Sequence, residues 1–351
     1  MRYVVGLLWI LVAVGCKNTT GPSVASGPVA SMEIEVIYED SVSIRAIDIL
    51  DDGSLAFAGS DGKFGLYNPV SKSWNTRVQQ QDSLIPSFRA VAHTATDFFM
   101  LSIANPALLY KTGDTGKMEL VYQEEGEQVF YDSMKFWNDK EGIAMGDAQG
   151  GCLSIIITRD GGNTWKKLDC SVLPEATEGA FAASNTNVEV MGNHAWIITG
   201  GIRSRVFHTA DKGRTWEVVD TPLLQGKETQ GGYSIDFYDD KNGFVIGGDY
   251  TDPEGSHANK ARTIDGGKTW QLVAEGQAPG YKSCVQYVPN KNGNELVAIG
   301  FTGIDYSKDG GDTWKTLSTE GFFTIRFVDE NQAYAAGNGR IALITLKRND
   351  L

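Results

Sequence analysis

Three observations predict an all-β fold, a single seven-bladed β-propeller. An eight-residue motif returns four times: TRDGGNTW at 158–165, TADKGRTW at 209–216, TIDGGKTW at 263–270 and SKDGGDTW at 307–314. A longer pattern surrounds it, in which an apolar segment, an Asp/Asn/Gly turn and a second apolar segment close on a glycine. That pattern recurs at Gly59, Gly146, Gly247, Gly300 and Gly337, with Gly200 filling the gap. Counting one degenerate unit near FFMLSIAN, residues 98–105, the step averages about 46 residues, the length of one four-stranded blade. The third observation is composition. With 41 glycines, 8 Trp and 13 Tyr and few long apolar runs, the chain favours many short strands joined by tight turns.

The N-terminus follows different rules. MRYVVGLLWILVAVGC holds one basic residue, an apolar run from Tyr3 to Gly15, and then Cys16. The run is too short to cross a bilayer as a helix but suits the apolar part of a secretory signal. AVGC resembles a bacterial lipobox, which implies that Cys16 becomes the lipidated first residue of the mature protein. Residues 1–16 are therefore expected to be a lipoprotein signal peptide. Residues 17–31, small, polar and Pro/Gly-bearing, read as a flexible tether, and residues 32–351 as the propeller. The expected location is the bacterial cell envelope, with the membrane reached through the lipid anchor alone.

Each unit reads as four strands. In the fifth, SIDFY (234–238) is innermost, GFVIGG (243–248) second, KART (260–263) third and TWQLVA (269–274) outermost. The repeated motif is then the turn between third and fourth strands. Its aspartates, Asp160, Asp211, Asp265 and Asp309, are suited to accept backbone N–H bonds inside the turn. Its tryptophans, Trp165, Trp216, Trp270 and Trp314, can bury large area between neighbouring blades. Unit two keeps Thr112, Asp114 and Gly116 but has Glu119 in place of the Trp, and unit one keeps only Ser73 and Trp74. Unit seven ends at RIALITL (340–346) without a fourth strand. The segment MEIEVIYE (32–39) is the expected replacement, closing the ring and removing its exposed edges.

Cys152 and Cys170 lie equally far from Gly161, the middle of the first motif's turn. Across an antiparallel hairpin they face each other closely enough to bridge, and secretion favours the disulfide. Cys284, in SCVQYV, reads as core.

The motif resembles the Asp box, or bacterial neuraminidase repeat: a Ser/Thr, an Asp, a Gly, a second Ser/Thr and a closing Trp. Blades of the form GFVIGG…TIDGGKTWQLV resemble those of the photosystem II stability/assembly factor group of propellers, over residues 32–346. That resemblance implies a non-catalytic binding or assembly propeller; nothing in the residues shows photosynthesis. Asp boxes also occur in sialidases and xyloglucan hydrolases, at the periphery and away from the active centre. The resemblance thus makes the four aspartates structural. A sialidase would need an Arg-Ile-Pro signature, where FRAVA has Ala90 and Val91 after Arg89. It would also need an arginine triad, for which nothing marks Arg45, Arg89, Arg205 and Arg340. A glycan-cleaving hydrolase remains the rival reading. It would be favoured by two carboxylates facing each other across the channel mouth, or by three converging arginines.

A net charge of −13 without a Lys/Arg cluster argues against a nucleic-acid partner. The four histidines lack ligand-like spacing, so no metal is expected, and GGDYTDPEGSH (247–257) lacks the periodicity of a calcium loop. No G-x-S-x-G and no strand–Gly-loop–helix pattern appear, so no cofactor is expected.

Function is expected on the face opposite the motif turns. Phe88, Tyr131, Phe181, Tyr233, Tyr281 and Phe322 recur where the chain enters each innermost strand. They either plug a tapering channel or form a binding rim for a protein or glycan. In the rim reading their polar partners are Arg89, Asp132, Arg203, Arg205, Asp249 and Arg340, and the tyrosine hydroxyls reach solvent. The two longest links, 221–232 and 247–260, would build the walls.

Overall fold

The computed structural model describes residues 27–113 and 116–349. The expectations for the signal peptide with Cys16, for residues 17–26 of the tether and for Asp114 lie outside the described residues.

The described chain forms seven four-stranded antiparallel sheets. The first strand, β1 (Val29–Ser43), precedes blade one. Blade one is β2 (Ala46–Ile49), β3 (Leu55–Ala58), β4 (Lys63–Asn68) and β5 (Ser73–Val78). Blade two is β6 (Phe88–His93), β7 (Phe98–Ser102), β8 (Ala107–Thr112) and β9 (Met118–Glu124). Blade three is β10 (Tyr131–Phe136), β11 (Gly142–Gln149), β12 (Cys152–Thr158) and β13 (Lys166–Lys167). Blade four is β14 (Val188–Met191), β15 (His194–Ile198), β16 (Arg205–Thr209) and β17 (Glu217–Asp220). Blade five is β18 (Gln230–Phe237), β19 (Gly243–Asp249), β20 (Lys260–Thr263) and β21 (Gln271–Leu272). Blade six is β22 (Cys284–Tyr287), β23 (Leu296–Gly300), β24 (Gly303–Ser307) and β25 (Lys315–Ser318). Blade seven contributes β26 (Thr324–Phe327), β27 (Gln332–Ala336) and β28 (Asn338–Arg348), and β1 completes it.

The first strands touch one another in the order β2, β6, β10, β14, β18, β22, β26 and back to β2, so they surround a central channel. The protein is a closed, seven-bladed, all-β propeller. Closure rests on β1, which runs antiparallel to β28 from Val29↔Arg348 to Ser43↔Asn338. Pairing starts at Val29, so the last residues assigned to the tether belong to the sheet.

The eight-residue motif folds by one hydrogen-bond scheme. In the first copy Thr158 Oγ1 donates to Asp160 Oδ1 at 2.9 Å and accepts the Gly162 N–H at 2.9 Å. Asp160 also accepts the Thr164 amide at 2.9 Å and its hydroxyl at 2.7 Å. Asp211, Asp265 and Asp309 repeat the scheme. Burial opposes ionisation at Asp211, yet the Thr215 amide and hydroxyl hold it down at about 2.

Each tryptophan then fills the groove between its own blade and the one before. Trp165 meets Phe99 of blade two edge-on at 6.4 Å, and Trp314 meets Phe244 of blade five at 5.9 Å. Trp270 joins Trp196, Ile198 and Val206 of blade four in one buried cluster. Gly267, at φ +86°, holds a conformation that a side chain would strain, and a Cβ there would also press on the Trp196 ring at 3.1 Å.

A disulfide joins Cys152 and Cys170, with an S–S distance of 2.02 Å, tying the start of β12 to a short 3₁₀ turn at Cys170–Val172. Cys284 is a free, fully buried thiol.

The blade-four hairpin carries a pH dependence. His208 Nε2 lies 2.9 Å from His194 Nδ1, and both rings stack with Trp196. Burial, then the neighbouring His194, lowers the His208 pKa from its ordinary 6.5 to about 4. The unfolded chain takes up this proton near pH 6.5 and the folded chain only near 4, so stability is expected to fall as pH drops between those values. Melting temperatures measured stepwise across this window should show a shallower slope for His208→Gln. An identical slope would assign the acid sensitivity elsewhere.

Candidate functional site

The channel is not left open. Blade four begins its innermost strand only at Val188, and the seven preceding residues, FAASNTN (181–187), turn into the axis. Asn185 makes the turn with φ +57°, a left-handed conformation that Asn tolerates. Its side chain donates to Val91 O of blade two at 2.8 Å and accepts the Met134 N–H of blade three at 3.0 Å. Thr186 Oγ1 bonds Ser234 Oγ of blade five at 2.8 Å, and Ser184 Oγ donates to Ser283 O at 2.7 Å beside blade six. From blade seven, Thr324 Oγ1 donates to Ser184 O at 2.9 Å and Arg326 Nη2 to Asn185 O at 3.2 Å. Residues 184–187 are buried, and their side-chain polar groups are paired apart from Asn187 Oδ1. One segment thus stitches the inner strands together and blocks the channel.

Above this plug lies a cup of about 490 Å³. Its floor is the plug itself: Arg45 Nη1 donates to Ala183 O at 3.3 Å and Arg89 Nη1 to Ala182 O at 3.1 Å. Its walls are aromatic. Phe181 and Tyr233 stack face to face at 3.7 Å, and Tyr281 meets Tyr233 edge-on at 4.8 Å. Phe301 packs on Tyr281 at 5.3 Å, and the Arg45 guanidinium lies 3.8 Å over Phe323. Phe130, Asp147 and Tyr250 complete the lining.

The two arginines define the electrostatics. Among the described residues neither has a carboxylate ion-pair partner, and both Nε atoms are buried without a hydrogen bond. Burial, followed by the Arg45 charge, pushes the Arg89 pKa down to about 10, and burial lowers that of Arg45. Asp132 stands near Arg89 with no exposed surface. Burial, then Asp147, raises its pKa well above the carboxylate range, and burial raises Asp147 although the Ala180 N–H bonds it at 2.9 Å. Neither oxygen of Asp132 meets a donor, so the neutral acid, donating to Asp147, is the form that fits. The pair then carries at most one negative charge against two cations. An anion entering the cup would complete the balance.

This arrangement corrects the expected rim. Phe181, Tyr233, Tyr281 and Arg89 line the cup, but Tyr233 and Tyr281 are almost wholly buried and Tyr233 donates inward to Thr229 O at 2.8 Å. Tyr131 is fully buried and donates to Glu124 at 2.7 Å. Phe88 and Phe322 have no exposed surface and pack between blades. Among the polar partners, Arg205 is buried against Glu178 at 2.6 Å and Arg203 pairs with Asp220 at 3.0 Å. Arg340 pairs with Glu320 at 2.7 Å and lies over Phe322. Asp249 turns inward to accept the Thr251 hydroxyl and amide. None of these four lines the cup. Of the long links, 247–260 contributes Tyr250 to the wall.

Sequence reading missed Arg45, Phe323, Phe301 and the plug. The plug had a signal: small and polar residues, AASNTN (182–187), stand immediately before the innermost strand of unit four. The cup brings together two arginines, and its neighbouring carboxyls both come from blade three, where Asp132 is closed to solvent.

No family model and no curated protein matches this sequence. Solved structures do match. YCF48 bound to D1 peptide superposes with a TM-score of 0.65 at 15% identity, covering 92% of this chain and 98% of that one. YCF48 from Cyanidioschyzon merolae gives 0.60 at 14%, covering 90% and 99%. The GH74 xyloglucanase from Xanthomonas campestris gives 0.62 at 13%, covering 89% of this chain and 53% of that one. At these identities the likeness is one of fold.

Proposed function

We propose that this chain is a non-catalytic binding propeller of the bacterial cell envelope, tethered by lipid at Cys16, whose cup takes a protein segment bearing a carboxylate. The pair Arg45 and Arg89, two cations facing at most one carboxylate charge in an aromatic-walled cup, carries the reading. A planar guanidinium with free donors suits a carboxylate, and aromatic walls suit the apolar chain beside it. The plug makes the floor rigid, so little ordering cost falls on the protein when it binds. The repeated motif acts as an Asp box and holds the blades. A propeller of the same fold holds a peptide, which is compatible with a peptide ligand here. An assembly or stability role in the envelope fits such a binder.

The test is selection of random octapeptides on the chain from residue 27 onward. Recovered binders are expected to carry a carboxylate beside apolar residues, and Arg45→Gln/Arg89→Gln should weaken them by more than about 2 kcal/mol. Binders without an acidic group, or binders that hold the double variant equally well, would move the site away from the cup.

A further inference from the structure

Arg89, Asp132 and Asp147 are each the extra residue of a β-bulge. Phe88 pairs with Ser102 and Ala90 with Leu101, so Arg89 is skipped by the ladder. Tyr131 pairs with Gly146 and Ser133 with Met145, which skips Asp132. Gly146 pairs with Ser154 and Ala148 with Leu153, which skips Asp147. A bulge re-aims one side chain out of the alternation of its strand. Three bulges in two neighbouring blades thus bring one cation and two carboxyls together at the wall of the cup.

One of these carboxyls is closed in. Asp132 has no exposed surface, and neither of its oxygens meets an N–H or hydroxyl donor. As a carboxylate it would be both dry and unbonded, which is costly. As a neutral acid it can donate to Asp147, whose Oδ1 is already held by the Ala180 N–H at 2.9 Å. Residue 179 is glycine where the chain passes Asp147, and a Cβ there would collide with that oxygen. The raised pKa of Asp132, caused first by burial and then by Asp147, agrees with the neutral form.

The other charged and titratable groups around the pair are few. Arg45 and Arg89 are the cations of the cup, and Arg89 loses its proton only near 10. Tyr233 and Tyr281 are pushed up by burial and stay neutral, and Tyr250 stands at the lip. Beyond Asp147 an adjoining hollow carries Glu127, which is exposed, and Glu178, which is paired with Arg205 at 2.6 Å. None of the described histidines lines the cup or the hollow. Asp132 is therefore the group whose proton changes the charge of the cup near neutral pH.

We propose that Asp132 is a proton switch for the cup. With its proton, the two carboxyls offset only one of the two arginine charges, and an anion is held. Without it, Asp132 and Asp147 balance Arg45 and Arg89 themselves, and the anion is released. The switch rests on the reading of the cup as an anion site. By linkage, proton and anion then strengthen each other's binding by the same factor.

The probe is phenylacetate, a carboxylate on an aromatic ring, titrated into the protein at steps between about pH 6 and 9. The methyl resonances of Ala182 and Ala183, which line the cup, report binding. The dissociation constant is expected to rise with pH, approaching about tenfold per unit once Asp132 ionises. Asp132→Asn keeps the shape and a donor toward Asp147 but cannot ionise, and its affinity should not vary over this range. In the wild-type protein the carboxyl carbon resonance of Asp132 should titrate above the ordinary carboxylate range, and saturating phenylacetate should move its midpoint upward. A wild-type affinity that is flat with pH, a slope that survives in Asp132→Asn, or a midpoint indifferent to phenylacetate would each overturn the switch and leave the cup standing. Absence of saturable binding at every pH would instead overturn the anion site, and the switch with it.

Discussion

Trp270→Ala is expected to lower the unfolding free energy by about 3–5 kcal/mol, the range for deletion of a buried large aromatic side chain. Trp270 is 8% exposed, its Nε1 donates to Gly267 O at 3.1 Å, and its ring meets Phe237 edge-on at 6.1 Å. Truncation would leave a cavity bounded by Trp196 and Phe237, which are held by strands β15 and β18 and cannot collapse into it. Urea titration measures the loss. The cup lies on the other face, so peptides selected on the wild-type chain should bind the folded variant unchanged. Loss of that binding with no loss of stability would make the motif a recognition element and end its structural reading.

The contrast between motif and cup shows which part of this molecule was legible. Repeated structures announce themselves because each copy solves one local problem: Asp160, Asp211, Asp265 and Asp309 satisfy the amides of their own turns, so residues and structure share one short window. Blade closure was legible for a related reason. A unit lacking a strand and a spare strand at the other end of the chain imply each other. The cup has no such local grammar. Arg45 and Arg89 meet only because blades one and two are neighbours, and their shared floor comes from blade four. Aromatic residues at strand entries were visible in sequence, but whether a ring faces the mouth or the blade interface depends on its neighbours. Phe181 reaches the cup because it opens the plug segment, and Tyr233 of blade five stacks on it, whereas Phe88 and Phe322 turn between blades. The plug was hidden because 181–187 breaks the pattern, and a break in a repeat is easily taken for degeneracy.

Deleting residues 29–43 is expected to cost more than Trp270→Ala and to do so by another route. β1 supplies the outer partner for β28 along its length. It also supplies Val29, Met32 and Ile34 to the core shared by blades six and seven, and Ile37, Tyr38 and Val42 to the core shared by blades seven and one. Trp74 of blade one donates to Ile37 O at 2.8 Å, and Lys315 of blade six donates to Ala30 O at 2.6 Å, so the strand is bonded on both flanks. Without it β28 presents a long unpaired edge bearing apolar side chains, the template on which chains associate. The truncated protein is expected to leave the monomer fraction in size-exclusion chromatography with light scattering, and a peptide spanning residues 27–45, added in trans, should return part of it. Truncation that stops at residue 26 leaves β1 whole and should leave the melting temperature unchanged. If the protein lacking residues 29–43 stayed monomeric with a wild-type melting temperature, the ring would be closed by contacts among the inner strands and the plug, and β1 would be a cover rather than a clasp.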